Sequence, residues 1–265
     1  MTRVMHAGLA LRAFKLMAAA PLGGCLVEFG VYKGDGLCMM AHLCRQYLGD
    51  PQPLYGFDSF AGMPRSDIPL SSGLGVDWAE GTFADTSVEA VQQRLTAKRI
   101  QATLVKGVFG SLLPLREYGI ETVRFVHIDA DIYEGYRDAL HLLTPHVQVG
   151  TVLLFDESMP PTDHRRQGIR EHGKRAVYEW EQTTGFNLHL IRFHETAVLC
   201  VLVDESYLER YARTIVPLKR DTVMDIVVDR VQLTLRERER ARLRRIRNFL
   251  RGIRRVIRRR STNAP

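Results

Sequence analysis

Short apolar runs alternate with stretches of helical periodicity along the middle of the chain, and this alternation most limits the folds that it can adopt. Strand patterns occur at Gly24–Phe29, Pro53–Phe57, Ala102–Lys106, Val123–Ile128 and Thr151–Phe155, and helical patterns at Leu37–Leu48, Val88–Lys98 and Tyr133–Leu143. Strands that alternate with helices predict a parallel, doubly wound sheet, because each helix returns the chain across one face of the sheet.

Two more strand patterns, Leu188–Arg192 and Thr196–Val203, follow without a helix between them. Such a pair predicts an antiparallel hairpin at one edge of the sheet. The sequence therefore predicts a Rossmann-like α/β fold whose sheet is mostly parallel and ends in an antiparallel hairpin. We expect three segments: an N-terminal helix in residues 1–22, a domain in residues 23–205, and a basic amphipathic helical segment in residues 206–265.

Most of the positive charge lies near the C-terminus. The 265-residue chain has a net charge of +7, yet Arg236 to Arg260 holds 13 arginines and two acids. The other 24 basic and 28 acidic residues give the rest of the chain a net charge of −4. Apolar residues recur among these arginines at helical spacing. We therefore predict that residues 231–260 contact an anionic membrane surface. The alternatives are a helix between subunits and contact with a polyanion, of which nucleic acid is less favoured.

Cysteine usage and hydropathy bear on the compartment. The four cysteines form no C-x-x-C pair, which indicates a reduced protein rather than a disulfide scaffold. No run of 18 apolar residues predicts a transmembrane helix. We therefore expect a cytoplasmic protein with peripheral contact at the inner membrane surface. We also expect a homo-oligomer, in which the N-terminal helix packs between subunits.

A glycine-rich motif follows the first strand. It reads E-x-G-x-x-x-G-x-G, from Glu28 through Gly30 and Gly34 to Gly36. The dinucleotide fingerprint G-x-G-x-x-G has its close pair of glycines first, whereas here the close pair comes last and an acid precedes the first glycine. This order suits the amino acid and ribose of S-adenosylmethionine better than a pyrophosphate. A glycine-rich turn without a ligand is the alternative.

The second strand ends at Asp58 and Ser59, and Asp58 lies 22 residues past Gly36. An acid at this place can accept hydrogen bonds from ribose hydroxyls, so both residues are predicted to bind the cofactor; a simple turn is the alternative for Asp58. The connections Ser59–Thr82 and Glu157–Lys174 leave from the same edge and are candidate lids. Phe83–Thr86 either covers the cofactor or anchors the chain locally.

Four carboxylates follow two strands that we expect to be neighbours. Asp129 and Asp131 follow the fourth strand, and Asp156 and Glu157 follow the fifth. Crowded carboxylates repel one another, and a hard divalent cation, most simply Mg²⁺, removes that cost. With the other carboxylates as ligands, Asp131 is the predicted general base for an acceptor hydroxyl. The alternative is that the acids cap the helices that follow them.

Several of these stretches together resemble one family. Glu28–Gly36, Phe57–Pro64, His127–Glu134 and Leu153–Ser158 are similar to the macrocin-type (TylF/MycF/NovP-like) sugar O-methyltransferases, over roughly residues 23–203. The resemblance implies S-adenosylmethionine, Mg²⁺ and methylation of a hydroxyl. By position it implies Asp129, Asp156 and Glu157 as metal ligands and Asp131 as base. The family usually has an aspartate where this chain has Glu157, and both the lids and the arginine-rich tail differ.

The sequence thus predicts a metal-assisted, S-adenosylmethionine-dependent O-methyltransferase that acts on a hydroxyl of a sugar or glycan-type acceptor. Two other hypotheses belong to different classes. A nicotinamide oxidoreductase requires the G-x-G-x-x-G turn, which this loop lacks. A non-catalytic module of the same fold, which binds an anionic membrane or polyanion through the tail, does not need the four acids.

Overall fold

Seven strands form one sheet in the part of the chain that the computed structural model describes, namely residues 7–20, 22–49, 51–67, 79–156, 171–194 and 197–211. The strands are β1 (Cys25–Phe29), β2 (Leu54–Asp58), β3 (Thr103–Lys106), β4 (Val123–Ile128), β5 (Val152–Phe155), β6 (Asn187–His194) and β7 (Ala197–Val203). Their order across the sheet is β3-β2-β1-β4-β5-β7-β6. The first five strands are parallel, and β7 is antiparallel to both β5 and β6. The predicted fold, including the antiparallel pair at one edge, is confirmed.

Burial explains the positions of the strands in the sheet. Every residue of β1, β4, β5 and β7 is buried, because these central strands are covered on both faces. The edge strand β3 has no buried residue. The reversal of strand order lies between β1 and β4, and in open α/β sheets ligands bind at the carboxyl edge beside this point.

The two faces of the sheet are covered by helices α1 (Ala7–Ala19), α2 (Asp35–Tyr47), α3 (Val88–Ala97), α4 (Tyr133–Leu143) and α5 (Glu171–Thr184). The first three contribute to one hydrophobic cluster, and α4 and α5 contribute to another. Two short 3₁₀ turns, Phe109–Ser111 and Leu115–Tyr118, lie between β3 and β4. The sheet is therefore the middle layer of three, with a core on each face.

Helix α5 corrects one prediction of the sequence. It begins at Glu171, inside the segment that was predicted as a loop up to Lys174. Ala176, Val177 and Trp180 are buried at helical spacing and pack on the face that α4 covers. The helix thus brings the chain back from the second connection onto the sheet.

The N-terminal helix α1 packs into the core of the sheet. Phe14 is fully buried and its ring lies 5.5 Å from the ring of Phe125 on β4, centroid to centroid. The guanidinium of Arg124 donates to the carbonyl of Met17 at 2.8 Å. Aromatic burial and this hydrogen bond fix α1 against the start of β4.

Several predictions fall outside the described residues. They concern Glu157, most of the second connection, part of the first, and the arginine-rich segment from residue 212 onward. Membrane contact through residues 231–260, the homo-oligomer and the division at residues 22 and 205 stay predictions. No helix among the described residues combines the length and the apolar character needed to cross a bilayer.

We expect Phe14→Ala to lower the free energy of unfolding by about 3–5 kcal/mol, because it leaves a cavity in a core that is fully packed. Urea unfolding followed by circular dichroism measures this difference. Lys15→Ala is the matched control, since Lys15 is exposed on the same helix. Equal stability of the two variants would show that α1 is not part of the folded core.

Candidate functional site

The carboxyl ends of the parallel strands are held level by backbone hydrogen bonds that continue one residue past each strand. The amide of Gly30, just after β1, donates to Phe57 of β2 at 2.9 Å. The amides of Asp129 and Asp156 donate to the last carbonyls of β1 and β4, at 2.8 and 3.0 Å. The glycine loop, which we define as residues 30–36, therefore starts in line with two of the predicted acids.

Gly30 allows the glycine loop to touch the acidic turn after β4. Its φ is +89°, and a Cβ at this position would lie 1.9 Å from the carbonyl oxygen of Asp129. No side chain fits there without displacement of backbone. Gly30, a predicted cofactor residue, and Asp129, a predicted metal ligand, are thus brought into contact through their backbones.

Asp58 holds the glycine loop. Its Oδ2 accepts hydrogen bonds from the amides of Val31 and Tyr32, both at 2.8 Å, and its Oδ1 accepts one from Phe60 at 2.7 Å. The side chain is half-buried at the end of β2. A carboxylate offers about four acceptor positions, so these three bonds leave capacity for a ligand. The structure therefore gives Asp58 a role in shaping the loop that the sequence did not predict.

Glu28 is buried beneath the same loop. Its side chain is 1% exposed, and its Oε1 lies 2.9 Å from Nδ1 of His127 on β4. A Cβ on Gly36 would lie 1.7 Å from that Oε1, so the last glycine is needed to make room for the buried carboxyl. The predicted cofactor residue Glu28 thus supports the loop from below.

Burial raises the pKa of the Glu28 carboxyl, against the opposing effect of its hydrogen bond with His127. This raised pKa makes the stability of the protein depend on pH. A raised pKa means that the contribution of this group to stability is complete below its ordinary pKa and is lost as the pH rises through the folded-state value. Glu28 is therefore retained at some cost in stability, which is common for groups that shape functional sites.

Gly34 and Ser59 shape turns at the same edge. Gly34 has φ +78° and precedes α2, and its amide donates to Val31 at 2.8 Å. The hydroxyl of Ser59 donates to the carbonyl of Gly62 at 2.7 Å and accepts from the amide of Ala61 at 3.1 Å. Gly34 thus shapes the turn before α2, and Ser59 stabilises the turn directly after β2.

Asp131 occupies a strained turn. Its φ is +58°, and the amide of Ile132 donates to the carbonyl of Ala130 at 2.6 Å, so Asp131 is the central residue of a three-residue turn. Ile132, not Asp131, takes the N-cap position of α4. Asp131 thus lies one residue before the N-cap of this helix, and its role as general base stays a prediction. Backbone strain of this kind is concentrated at functional sites.

Asp129 and Asp156 follow strands that are paired in register, with Ile128 opposite Phe155. Asp156 is buried and Asp129 is half-buried. Glu157, the third predicted ligand, lies outside the described residues. Within residues that are described, no group of three or more histidine, cysteine, aspartate or glutamate side chains has the arrangement of a metal site.

The first turn of α4 receives both long connections. The carboxylate of Glu134 accepts from the hydroxyl of Ser66 at 2.9 Å and from the amide of Asp67 at 3.0 Å. The neighbouring amide of Tyr133 donates to Nδ1 of His172 at 3.0 Å, where the chain returns in α5. These contacts place the described ends of the two connections beside the acidic turn. No sequence pattern indicated His172.

The pKa of Glu134 agrees with the hydrogen bonds that its carboxylate accepts. Desolvation raises the pKa of Glu134, but hydrogen bonds from its own backbone, Asp67 and Ser66 outweigh it and lower the pKa. Glu134 is thus held as an acceptor. Farther along α5, Arg175 lies 4.8 Å from the centre of the Tyr133 ring and bonds Glu179 at 2.7 Å.

Cysteine chemistry does not contribute to the site. All four cysteines are free, and three are buried. Burial raises the pKa of the Cys25 thiol to about 12 and raises the pKa of the other three. Thiols in this state are poor nucleophiles.

The seven-stranded sheet, its antiparallel C-terminal pair and the glycine loop at the switch point define a class I methyltransferase fold. Residues 11–198 match the model of the macrocin O-methyltransferase (TylF) family. The chain belongs to that family, as the resemblance of its motifs implied.

Two curated relatives are each 29% identical to this chain. One is the demethyldecarbamoylnovobiocin O-methyltransferase of Streptomyces niveus, over 148 residues, which are 52% of this chain and 55% of the relative. The other is the 8-demethyl-8-(2,3-dimethoxy-alpha-L-rhamnosyl)-tetracenomycin-C 4′-O-methyltransferase of Streptomyces olivaceus, over 142 residues, 51% of this chain and 52% of the relative. The chain therefore spans about half the length of the curated relatives that it matches.

Solved structures show the same fold. The O-methyltransferase NovP superposes with a TM-score of 0.63 at 22% identity, and the calicheamicin methyltransferase CalS11 with 0.58 at 21%. In both cases the match covers 76% of this chain and 80% of the other.

We expect the effect of Gly36→Ala to depend on Glu28. In the otherwise unchanged protein the new Cβ meets the buried carboxyl, so the variant loses stability; in a Glu28→Ala background the space is open and the loss is smaller. A double-mutant cycle by urea unfolding should give a coupling of about 1–3 kcal/mol. Additive effects would contradict the contact.

We expect His172→Ala to raise the hydrogen-exchange rate of the Tyr133 amide, because it removes the acceptor of that amide. His172→Asn should restore slow exchange, since the amide oxygen of asparagine can take the place of Nδ1. Exchange followed by NMR measures both variants. Equally slow exchange in wild type and His172→Ala would show that the bond does not hold the turn.

Proposed function

We propose that this protein transfers the methyl group of S-adenosylmethionine to a hydroxyl of a sugar or glycan-type acceptor. The observation that carries the proposal is the contact of the glycine loop with the acidic turn through Gly30 and Asp129. A cofactor on the loop and an acceptor hydroxyl near the turn would meet at this edge. Membership of the macrocin O-methyltransferase family supports the reaction class.

The acceptor class rests on the names of the relatives. One relative is named for a novobiocin precursor and the other for a rhamnosyl tetracenomycin that it methylates at the 4′ oxygen. Both names state methylation of an oxygen, and the second places that oxygen on a rhamnosyl compound, so a sugar hydroxyl is the acceptor class that they support. We propose the same class for this chain.

The cofactor residues would act as follows. The glycine loop, supported by Glu28 from below, would take the amino-acid part of S-adenosylmethionine, and Asp58 with Ser59 would lie beside the ribose. When bound, this cofactor supplies a methyl group on a positively charged sulfur. Asp58 already bonds two amides of the loop, so it would couple the position of the ribose to the shape of the loop.

Asp131 is our proposed general base. It would accept the proton of the acceptor hydroxyl as that oxygen becomes nucleophilic. Its strained turn lies between Asp129 and the first turn of α4, to which both connections are bonded. These connections would limit access of water to the acceptor.

Assistance by a divalent cation is a finer part of the proposal. Asp129 and Asp156 offer oxygen donors at neighbouring strand ends, which is the donor type that Mg²⁺ prefers, and Glu157 would complete the set. A cation held there would supply charge that orients acceptor oxygens and lowers the pKa of the hydroxyl. The donor chemistry fits, and the paired register of β4 and β5 supports it.

Calorimetric titration with S-adenosylhomocysteine, with and without Mg²⁺, tests the cofactor site. We expect micromolar binding that Asp58→Ala weakens by at least tenfold, because the carboxylate holds the loop and would lie beside the ribose. Glu117→Ala is the control, since Glu117 is an exposed acid in a surface ion pair. No binding by the wild-type protein would overturn the proposal.

Methyl transfer is tested with demethyldecarbamoylnovobiocin and a rhamnosylated tetracenomycin as acceptors, followed by mass spectrometry. We expect Asp131→Asn to reduce kcat by about 10²–10⁴-fold with little change in S-adenosylhomocysteine affinity. Addition of EDTA should abolish turnover if the cation takes part. Full activity of Asp131→Asn would remove this residue from the reaction.

A further inference from the structure

Tyr32, in the middle of the glycine loop, is fixed at each of its polar groups. Its backbone is strained, with φ +47°. Its amide donates to Asp58 at 2.8 Å, its carbonyl accepts from the hydroxyl of Thr86 at 3.1 Å, and its phenol donates to Asp85 at 2.7 Å. A non-glycine residue keeps this conformation only when its surroundings determine it. Two of the three partners, Asp85 and Thr86, come from one short segment.

That segment is residues 82–86, which we call the return limb because it leads back from the first connection. The carboxylate of Asp85 bridges two neighbours in the loop: Oδ1 accepts from Tyr32, and Oδ2 accepts from Nζ of Lys33 at 2.5 Å. The ring of Phe83 packs edge-on against the ring of Tyr32, with 5.2 Å between centroids. These hydrogen bonds lower the pKa of Asp85, so the carboxylate stays ionised.

The return limb is joined to the base of the first connection. The amide of Met63 donates to Thr82 at 2.8 Å, and the amide of Gly81 donates back to Met63 at 2.9 Å. A Cβ on Gly62 would lie 2.7 Å from the carbonyl oxygen of Gly81, so the two chains pass in close contact. A change in the position of this connection would therefore move the return limb with it.

The other half of the glycine loop is held differently. Arg94, in helix α3, donates to the carbonyl of Lys33 at 2.6 Å and forms an ion pair with Asp35. Those contacts come from a regular helix of the fold. The side chains of Tyr32 and Lys33, by contrast, donate hydrogen bonds to the carboxylate of Asp85 in the return limb. The loop thus has one part held by a helix and one part held by both Asp58 and the return limb.

We propose that Asp85 is a positioning residue for the cofactor, which ties the glycine loop to the first connection so that the loop retains its ligand only while the return limb is docked. The inference rests on the proposed function, since it assigns the loop to S-adenosylmethionine. Asp85 acts through Tyr32 and Lys33 and needs no contact with the cofactor. Loss of the tie would speed release of the cofactor without unfolding the protein.

Surface plasmon resonance with the full chain and S-adenosylhomocysteine measures that release. We expect Asp85→Ala to raise the dissociation rate about tenfold, because two hydrogen bonds to the loop are lost. Asp85→Asn keeps an acceptor for Tyr32 and should recover part of the difference. The melting temperature of Asp85→Ala should stay within roughly one or two degrees of that of the wild-type protein, since exposed ion pairs contribute little to stability.

Two further variants make the test specific. Tyr32→Phe should raise the dissociation rate in the wild-type background and have no added effect in Asp85→Ala, because both changes remove the same bond. Glu117→Ala should leave the rate unchanged. Unchanged release from Asp85→Ala, in a protein that binds S-adenosylhomocysteine, would overturn the tie and leave the proposed function intact. No binding by wild type would overturn both.

Discussion

Backbone hydrogen bonds between strands of a parallel sheet fix which residues leave the sheet together, and the candidate site depends on this register. Gly30, Asp129 and Asp156 each donate one further bond to the neighbouring strand after their own strand has ended. The glycine loop and the acids are consequently level before any side-chain contact is made. A slip of one residue between β1 and β4 would turn the acids to the other face of the sheet.

The glycines of the motif are explained largely by contacts within the protein. Gly30 gives way to the carbonyl of Asp129, and Gly36 gives way to the buried carboxyl of Glu28. The contact of Gly30 links the loop to the turn after β4, and the contact of Gly36 links the loop to β1. The loop is therefore prepared by the fold, and a ligand that binds there need not meet the cost of ordering it.

Much of the fold follows from patterns that act over short distances. Five apolar runs separated by helical patterns specify the parallel sheet, because the central runs among them must be buried on both faces. Strand ends then indicate Asp58 and Asp129, since side chains at the carboxyl edge share one surface. The start of α5 at Glu171 was missed, because its buried residues begin only at Gly173 and the preceding segment is rich in polar residues.

Roles that depend on distant partners were not visible in the sequence. The sequence indicated only that Phe83–Thr86 covers the cofactor or anchors the chain, and it gave no pattern for His172. The contacts of Asp85 with Tyr32 and of His172 with Tyr133 join residues that are far apart along the chain. The second role of Asp58, which is to hold the glycine loop, was hidden for the same reason. Its place at a strand end predicted a ligand, whereas its bonds to the loop depend on how β1 and β2 pair.

The turn at Asp131 also restricts which residues can stand at that position. A positive φ disfavours residues with a Cβ, but asparagine and aspartate adopt it more readily than others. If Asp131 is the base that we propose, selection on chemistry and selection on backbone shape act on the same residue. A relative that lost this proposed base but kept the turn would then be expected to carry asparagine or glycine there, and the residue at this position would separate active members of a lineage from inactive ones.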